Sequence, residues 1–234
     1  SASCTVTVTA AVTPGGSTGG DFIPGGESSS TITTKTNPDG SVTRTETKSD
    51  GTVIETTANA DGSTTKTTTR SDGSSVIESR DANGTTGTVR TDMNGKTEAE
   101  AWVSAKAAED AKKSGEAVKV PVEVRAGENS DSAPTVRVEL PKSAGETEIE
   151  IPVAGASSGT VAVIVHPDGT EEIVKASKPT GNGIQLTVNG STTIKIIDNS
   201  KDFIDTRDHW SRDEVNFVVA RELFNGVGNN LFGV

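Results

Sequence analysis

The chain has no tyrosine, one methionine, two tryptophans, five phenylalanines and two histidines in 234 residues, and only 31% of its residues are apolar. So thin a supply of large apolar side chains limits how much core can be built, and much of the chain must be single-layered or solvated. Cys4 is the only cysteine, which excludes an internal disulfide and leaves the redox compartment open. Its place in an alternating strand suits a small buried hydrophobe better than a reactive thiol, because no basic or helix-terminal setting lies nearby in sequence. Basic residues are outnumbered 33 to 22, the formal charge is −11 and the pI is about 4.7. That balance argues against nucleic acid and anionic membranes as partners, since both require a basic surface. No apolar run is long enough to span a bilayer, so no membrane insertion is expected.

The chemistry of catalysis is also missing. His166 and His209 are not accompanied by an HExxH pattern or a second cysteine, so a zinc site would lack ligands. His166 falls in a turn, where a solvated imidazole is expected. The Gly-Gly pairs near residues 15, 19 and 25 are not followed by a Gly-Lys-Ser/Thr signature, which removes the phosphate-loop reading. Asp198, Ser200 and Asp202 alternate as calcium ligands do, but Phe203 stands where an EF-hand loop needs glycine. No catalytic residue, metal or cofactor is assigned, and the chain is read as a non-enzyme.

What the sequence does contain is a repeat. Asp-Gly or Asn-Gly pairs begin at residues 39, 50, 61, 72, 83 and 94, a period of eleven held through six units. These pairs supply the positive φ of hairpin turns, and the Thr, Val and Ile between them favour strands, so each unit is one strand plus one turn and the whole an antiparallel meander. Stretches such as "STTKTTTR" are polar on both faces, so this segment buries little and works as a stalk or spacer, with Thr and Ser available to O-linked sugars. Before it, residues 13–30 are a Gly/Pro/Ser linker, and "SASCTVTVTA" reads as the last strand of a β-domain lying upstream.

After the repeat, Ser104 and Gly115 bracket an Ala-rich helix as N-cap and stop. Strand candidates follow near 118–124, 135–140, 146–152, 160–165, 170–175, 184–188 and 192–197, with turns at "HPDG" and "NG", which predicts an Ig-like β-sandwich. The fold class is therefore mainly β. The end of the chain differs: "DHWSRDEVNFVVARELFNGVG" gathers Trp210, Phe217 and Phe224, with Phe203 and Phe232 just outside. It predicts a helix of four to five turns from His209, capped by Asp208 and stopped at Asn225-Gly226, with Glu214 and Arg221 as solvated charges on its polar stripe.

Residues 202–234 resemble the first half of an S-layer homology repeat, through Phe203, Asp205, His209, Trp210, Asp213, Val215, Gly226, Gly228 and Phe232. Residues 1–12 resemble the closing strand of bacterial Ig-like domains, and the Thr-rich stalk with its sandwich resembles segments preceding such anchors in surface proteins of Firmicutes. The resemblance implies a secreted, wall- or S-layer-associated monomer of a Gram-positive-type cell, held through a secondary cell wall polysaccharide. In that family three repeats normally assemble one anchor, and this chain stops within the first. Gly233 departs from the pattern, which usually has Ser before Pro there. Trp210 then either stacks on a sugar or fills a core beside Phe203 and Phe217. Asp205, Gly226 and Gly228 complete the candidate ligand-binding set, the two glycines being better explained by backbone geometry. The organisation expected is a strand at 1–12, the linker at 13–30, the stalk at 31–103, helix plus sandwich at 104–198 and the partial repeat at 199–234. Two other readings stay open: a sandwich that recognises carbohydrate or protein, weakened by its lack of Trp, Tyr and Phe, or an accessory region of a secreted hydrolase.

Overall fold

The computed structural model describes residues 5–9 and 30–234, so Cys4 and nearly all of the Gly/Pro/Ser linker lie outside the described residues. The chain is mainly β. Strands β1 (Thr5–Thr9), β2 (Ser30–Thr36), β3 (Val42–Lys48), β4 (Val53–Ala58), β5 (Thr64–Thr69), β6 (Ser75–Arg80), β7 (Thr86–Thr91) and β8 (Thr97–Trp102) pair in sequence as an antiparallel meander. The meander does not end at β8. Helix α1 (Ala105–Ser114) and the short strands β9 (Val118–Lys119) and β10 (Val124–Arg125) carry the chain over to β11 (Thr135–Glu139), which pairs parallel to β8. Strands β12 (Thr147–Ala154), β13 (Thr160–Val165), β14 (Glu171–Ile173), β15 (Lys178–Pro179), β16 (Gly183–Val188) and β17 (Ser191–Asp198) complete two sheets. The first has twelve strands, ending β7-β8-β11-β17-β13-β14; the second runs β10-β12-β16-β15, with β9 also on β12.

Each repeat turn is built alike. The first residue's N–H donates to the carbonyl of the fifth, as from Asn37 to Ser41 at 2.8 Å, and the glycine N–H donates back to the first residue, as from Gly40 to Asn37 at 3.0 Å. Only the glycine takes positive φ, between 83° and 88° in Gly40, Gly51, Gly62, Gly73, Gly84 and Gly95. The turns are thus three-residue loops with a left-handed glycine bulge, and the Asp or Asn before it stays at negative φ.

A carboxylate locks every one of these turns. In the first four it comes from the residue before glycine: Asp39, Asp50, Asp61 and Asp72 accept the N–H two residues on, at 2.8 to 3.0 Å. In the last two that position is Asn83 or Asn94, and the carboxylate has moved to the first turn residue, where Asp81 and Asp92 accept the equivalent N–H of Thr85 and Lys96 at 2.8 and 2.9 Å. Hydrogen bonds from the N–H and hydroxyl of Ser41 hold the Asp39 carboxyl below the usual carboxylate range.

The rows of side chains show where the single layer becomes a sandwich. No residue in strands β2 to β6 is buried. Along one inward row the register reads Thr45, Glu55, Thr67, Ile77, Val89, Ala99, Val136 and Ile194, polar at the far end and apolar from Ile77 onward. The parallel row reads Thr57, Thr65, Ser79, Gly87, Ala101 and Val138, shrinking to glycine where the second sheet arrives. A Cβ on Gly87 would sit 2.5 Å from Val122 Cγ1 and 2.6 Å from the Pro121 carbonyl oxygen. Beyond this line, Val136, Val138, Ile194 and Ile196 of the long sheet face Ile149, Ile151, Ile184 and Leu186 of the short one, all within 2% of full burial. Each such side chain contributes about 1.5–3 kcal/mol, and this is the main core of the molecule.

α1 follows its prediction: the Ser104 hydroxyl accepts the Ala107 N–H at 3.0 Å, and Gly115 ends the helix at φ 73°. Buried Ala107 and Ala108 seat it against β9 and β12. The sandwich strands also fall where expected, with two differences. The stretch 118–124 is broken around Pro121 into β9 and β10, and Lys178–Pro179 adds a short strand.

Candidate functional site

The C-terminal module, residues 199–234, sits on the outward face of the long sheet. There Val161 and Val163 of β13, with Ile173 and Ile197, form a small second cluster capped by Ala220. The helix in this module, α2, is Arg212–Ala220, nine residues. It is about half the predicted length, for two local reasons. At its start, Asp208 does not cap it; the chain first makes turns in which His209 N–H donates to the Thr206 carbonyl and Arg212 N–H to His209, with His209 Nδ1 2.7 Å from the Ser211 hydroxyl. At its end, Glu222 takes φ 54°, which breaks the helix well before Asn225-Gly226.

Arg221 corrects the sequence reading most sharply. Expected as a solvated charge, it is fully buried. Its Nε donates to the Ser177 carbonyl at 2.7 Å, Nη1 to those of Ser158 and Phe217 at 3.0 and 3.1 Å, and Nη2 to that of Thr160 at 2.9 Å. The guanidinium carbon lies 3.9 Å from the Phe217 ring centroid, a cation–π contact. Burial lowers its pKa to about 10, so it remains charged at neutral pH. Asn199 and Asn216 add to the joint: Asn199 donates to the Ala220 carbonyl at 2.7 Å, and Asn216 accepts the Lys201 N–H at 3.0 Å while donating to Ser158 and Ser200 at 3.2 Å. Glu214 is exposed, as expected.

Asp205 is committed to the fold of its own loop. Its two oxygens accept the N–H groups of Phe232 at 2.9 Å and Gly233 at 2.8 Å, and these bonds hold its carboxyl below the usual range. Phe203 and Phe232 pack with ring centroids 5.7 Å apart, and Ile204 N–H donates to the Asn230 carbonyl at 3.0 Å. A Cβ on Gly226 would fall 2.5 Å from both Phe203 Cε1 and the Leu231 carbonyl oxygen, and Gly228 has φ 99°. Both glycines are required by the backbone.

Trp210 is 84% exposed, with its ring centroid 5.5 Å from that of His209. The structure therefore does not place it in a core beside Phe203 and Phe217. Ile204 at 56%, Phe224 at 62% and Val227 at 72% are exposed in the same module. Asp202 and Arg207 pair nearby, and the hydrogen bonds from Arg207 hold Asp202 below the usual carboxylate range. Among the described residues no cluster of three or more His, Cys, Asp and Glu is arranged to hold a metal ion, and no helix is long and apolar enough to cross a membrane.

Sequence reasoning missed Arg221, Asn199 and Asn216 as the fastening of the module. One signal was available: an arginine directly after Ala220, ending a helix with so broad an apolar face, leaves little polar stripe for it to occupy. The chain matches no family model, no curated protein and no solved structure.

Proposed function

We propose that this chain is a non-catalytic surface segment: a sheet-built spacer that fixes, on one face of its sandwich end, the opening of a wall-binding module directed at a secondary cell wall polysaccharide. The observation that carries the reading is Trp210, an aromatic side chain almost wholly in solvent on a module fastened to the sandwich by the buried Arg221. An aromatic that contributes nothing to its own core, in a module that also exposes Ile204, Phe224 and Val227, is available to something outside the described chain. The S-layer homology resemblance supplies the chemistry of that partner, a polysaccharide assembled against a set of such modules. Asp205, Gly226 and Gly228 enter this reading as the residues that shape the loop; Trp210 is the one offered to sugar.

The test is co-sedimentation with purified cell walls of a chain extended to three complete repeats. The expected result is retention in the wall pellet, falling about tenfold in Trp210→Ala, the weight of one good aromatic stacking contact. An extended chain that stays in the supernatant contradicts the proposal.

A further inference from the structure

Trp102 ends β8 on the outward face of the long sheet, 43% exposed, at the point where the repeat joins the sandwich. Ala99 and Ala101 of the same strand are buried in the core, so Glu98, Glu100 and Trp102 share the opposite face. The register places Thr86 of β7 and Glu139 of β11 directly across from Trp102. The adjoining row holds Thr88, Glu100 and Arg137, and the next pairs Arg90 with Glu98. Residues opposite one another in this way are in side-chain contact range.

Three properties of this face restrict what fits it. It is an open sheet face and not a cleft side, because the other side of the same strands is packed through Ala99, Ala101, Val136 and Val138. Opposite charges face one another across its strands, Arg90 opposite Glu98 and Arg137 opposite Glu100, and ion pairs join Arg137 to Glu139 at 2.6 Å and Lys96 to Glu98 at 2.9 Å, so three cations stand among its three carboxylates although the chain is at −11. And it holds a single large apolar side chain. One indole is little for the apolar centre of a protein interface of ordinary size, which argues against a second copy or a protein partner. A sugar ring meets all three conditions. Its axial C–H groups form a small apolar patch that stacks on an indole. Its hydroxyls around the rim both donate and accept, so they pair with carboxylates, guanidinium groups and threonine hydroxyls. An open sheet face suits an extended chain, and balanced charges suit a neutral one.

We propose that the outward face of β7, β8 and β11, centred on Trp102, is a binding site for a neutral β-linked glycan chain. The site is separate from Trp210: it lies on the same side of the sheet as α2, but β11 and β17 intervene before β13, on which α2 rests. The sandwich segment alone has no aromatic residue, which counted against sugar binding; the fold brings one in from the last repeat.

The test uses the chain with Trp210→Phe, so that emission reports Trp102 alone. It is titrated with cellohexaose and chitohexaose and sedimented with insoluble β-1,4-glucan and chitin. The expected result is a saturable change in emission and retention on at least one of these glycans, weakened at least tenfold by Trp102→Ala and less by Trp102→Phe. Arg137→Ala, an exposed change that leaves the core untouched, weakens the same binding several-fold. Failure of all four glycans to bind overturns the proposal, as does binding that Trp102→Ala leaves unchanged. Because Trp210 is absent throughout, neither outcome depends on the wall-anchoring proposal.

Discussion

Four backbone carbonyls, from Ser158, Thr160, Ser177 and Phe217, receive the guanidinium of Arg221, and three of them belong to the sandwich, not to the helix that carries it. A buried cation with no carboxylate among its acceptors is tolerable only because five fixed donors meet several carbonyl dipoles at once. Arg221→Ala removes those donors and strands the carbonyls in a dry joint. The expected loss is about 3–5 kcal/mol, read as a lower urea midpoint and as early proteolytic cutting near residues 199–201. Arg221→Lys is expected to fall between, since an ammonium cannot span the same acceptors. Unchanged stability and protease resistance in Arg221→Ala would show that the joint is held elsewhere. At this scale the sequence was a poor guide. Helical periodicity assigns Arg221 to a polar stripe with Glu214, and only the arrival of β13 beneath the end of the helix turns Arg221 inward while Glu214 stays exposed. Trp210 shows the converse, an apolar residue for which a core was one of two sequence readings and for which the fold provides none.

Repeat turns and strand rows belong to the scale of elements, and here the sequence was most legible. Eleven-residue spacing, Asp-Gly or Asn-Gly at every turn and β-branched residues between them suffice to place β3 to β8, since turn chemistry is local and survives any tertiary context. The shift of the carboxylate from Asp72 to Asp81 was also written there, though it gains meaning only from the N–H each one accepts. Two glycines separate local from tertiary causes. Gly62 has φ 85° and open space around its Cβ position, so Gly62→Ala costs only the left-handed strain, about 1–2 kcal/mol, and Gly62→Asn less. Gly87 has ordinary φ but faces Val122 and Pro121, so Gly87→Ala costs about 1–3 kcal/mol from overpacking and Gly87→Asn more. Urea midpoints of the four variants check this. An Asn that rescues position 87 but not 62 would contradict it. Gly87 could be seen in the sequence as a break in the Thr pattern, but its reason could not, because Val122 lies on the link between β9 and β10, strands of the other sheet.

As a whole, the described chain is one long sheet covered at one end by a second, shorter sheet. Strands β2 to β6 have no buried residue and stand on ladder hydrogen bonds, Thr pairs such as Thr43 with Thr57 at 2.9 Å, and ion pairs such as Lys66 with Glu78 at 2.9 Å. Such bonds alone make a marginal ribbon; what ties this one to the packed end is that β8 pairs directly to β11, so the ribbon inherits its direction from there. The sequence showed both parts but not their fusion, since α1 separates them along the chain and parallel pairing across a crossover leaves no local mark. The same continuity places Trp102 and the C-terminal module on one face. If the ribbon is rigid, the distance from repeat to sandwich is fixed. Spin labels at Arg44→Cys in β3 and Glu172→Cys in β14, with Cys4→Ser, measure that distance by pulsed dipolar spectroscopy. Nine strand intervals separate the two in the long sheet, so the account predicts one narrow peak at about 4 nm; a broad distribution, as of a ribbon swinging free of the sandwich, would contradict it.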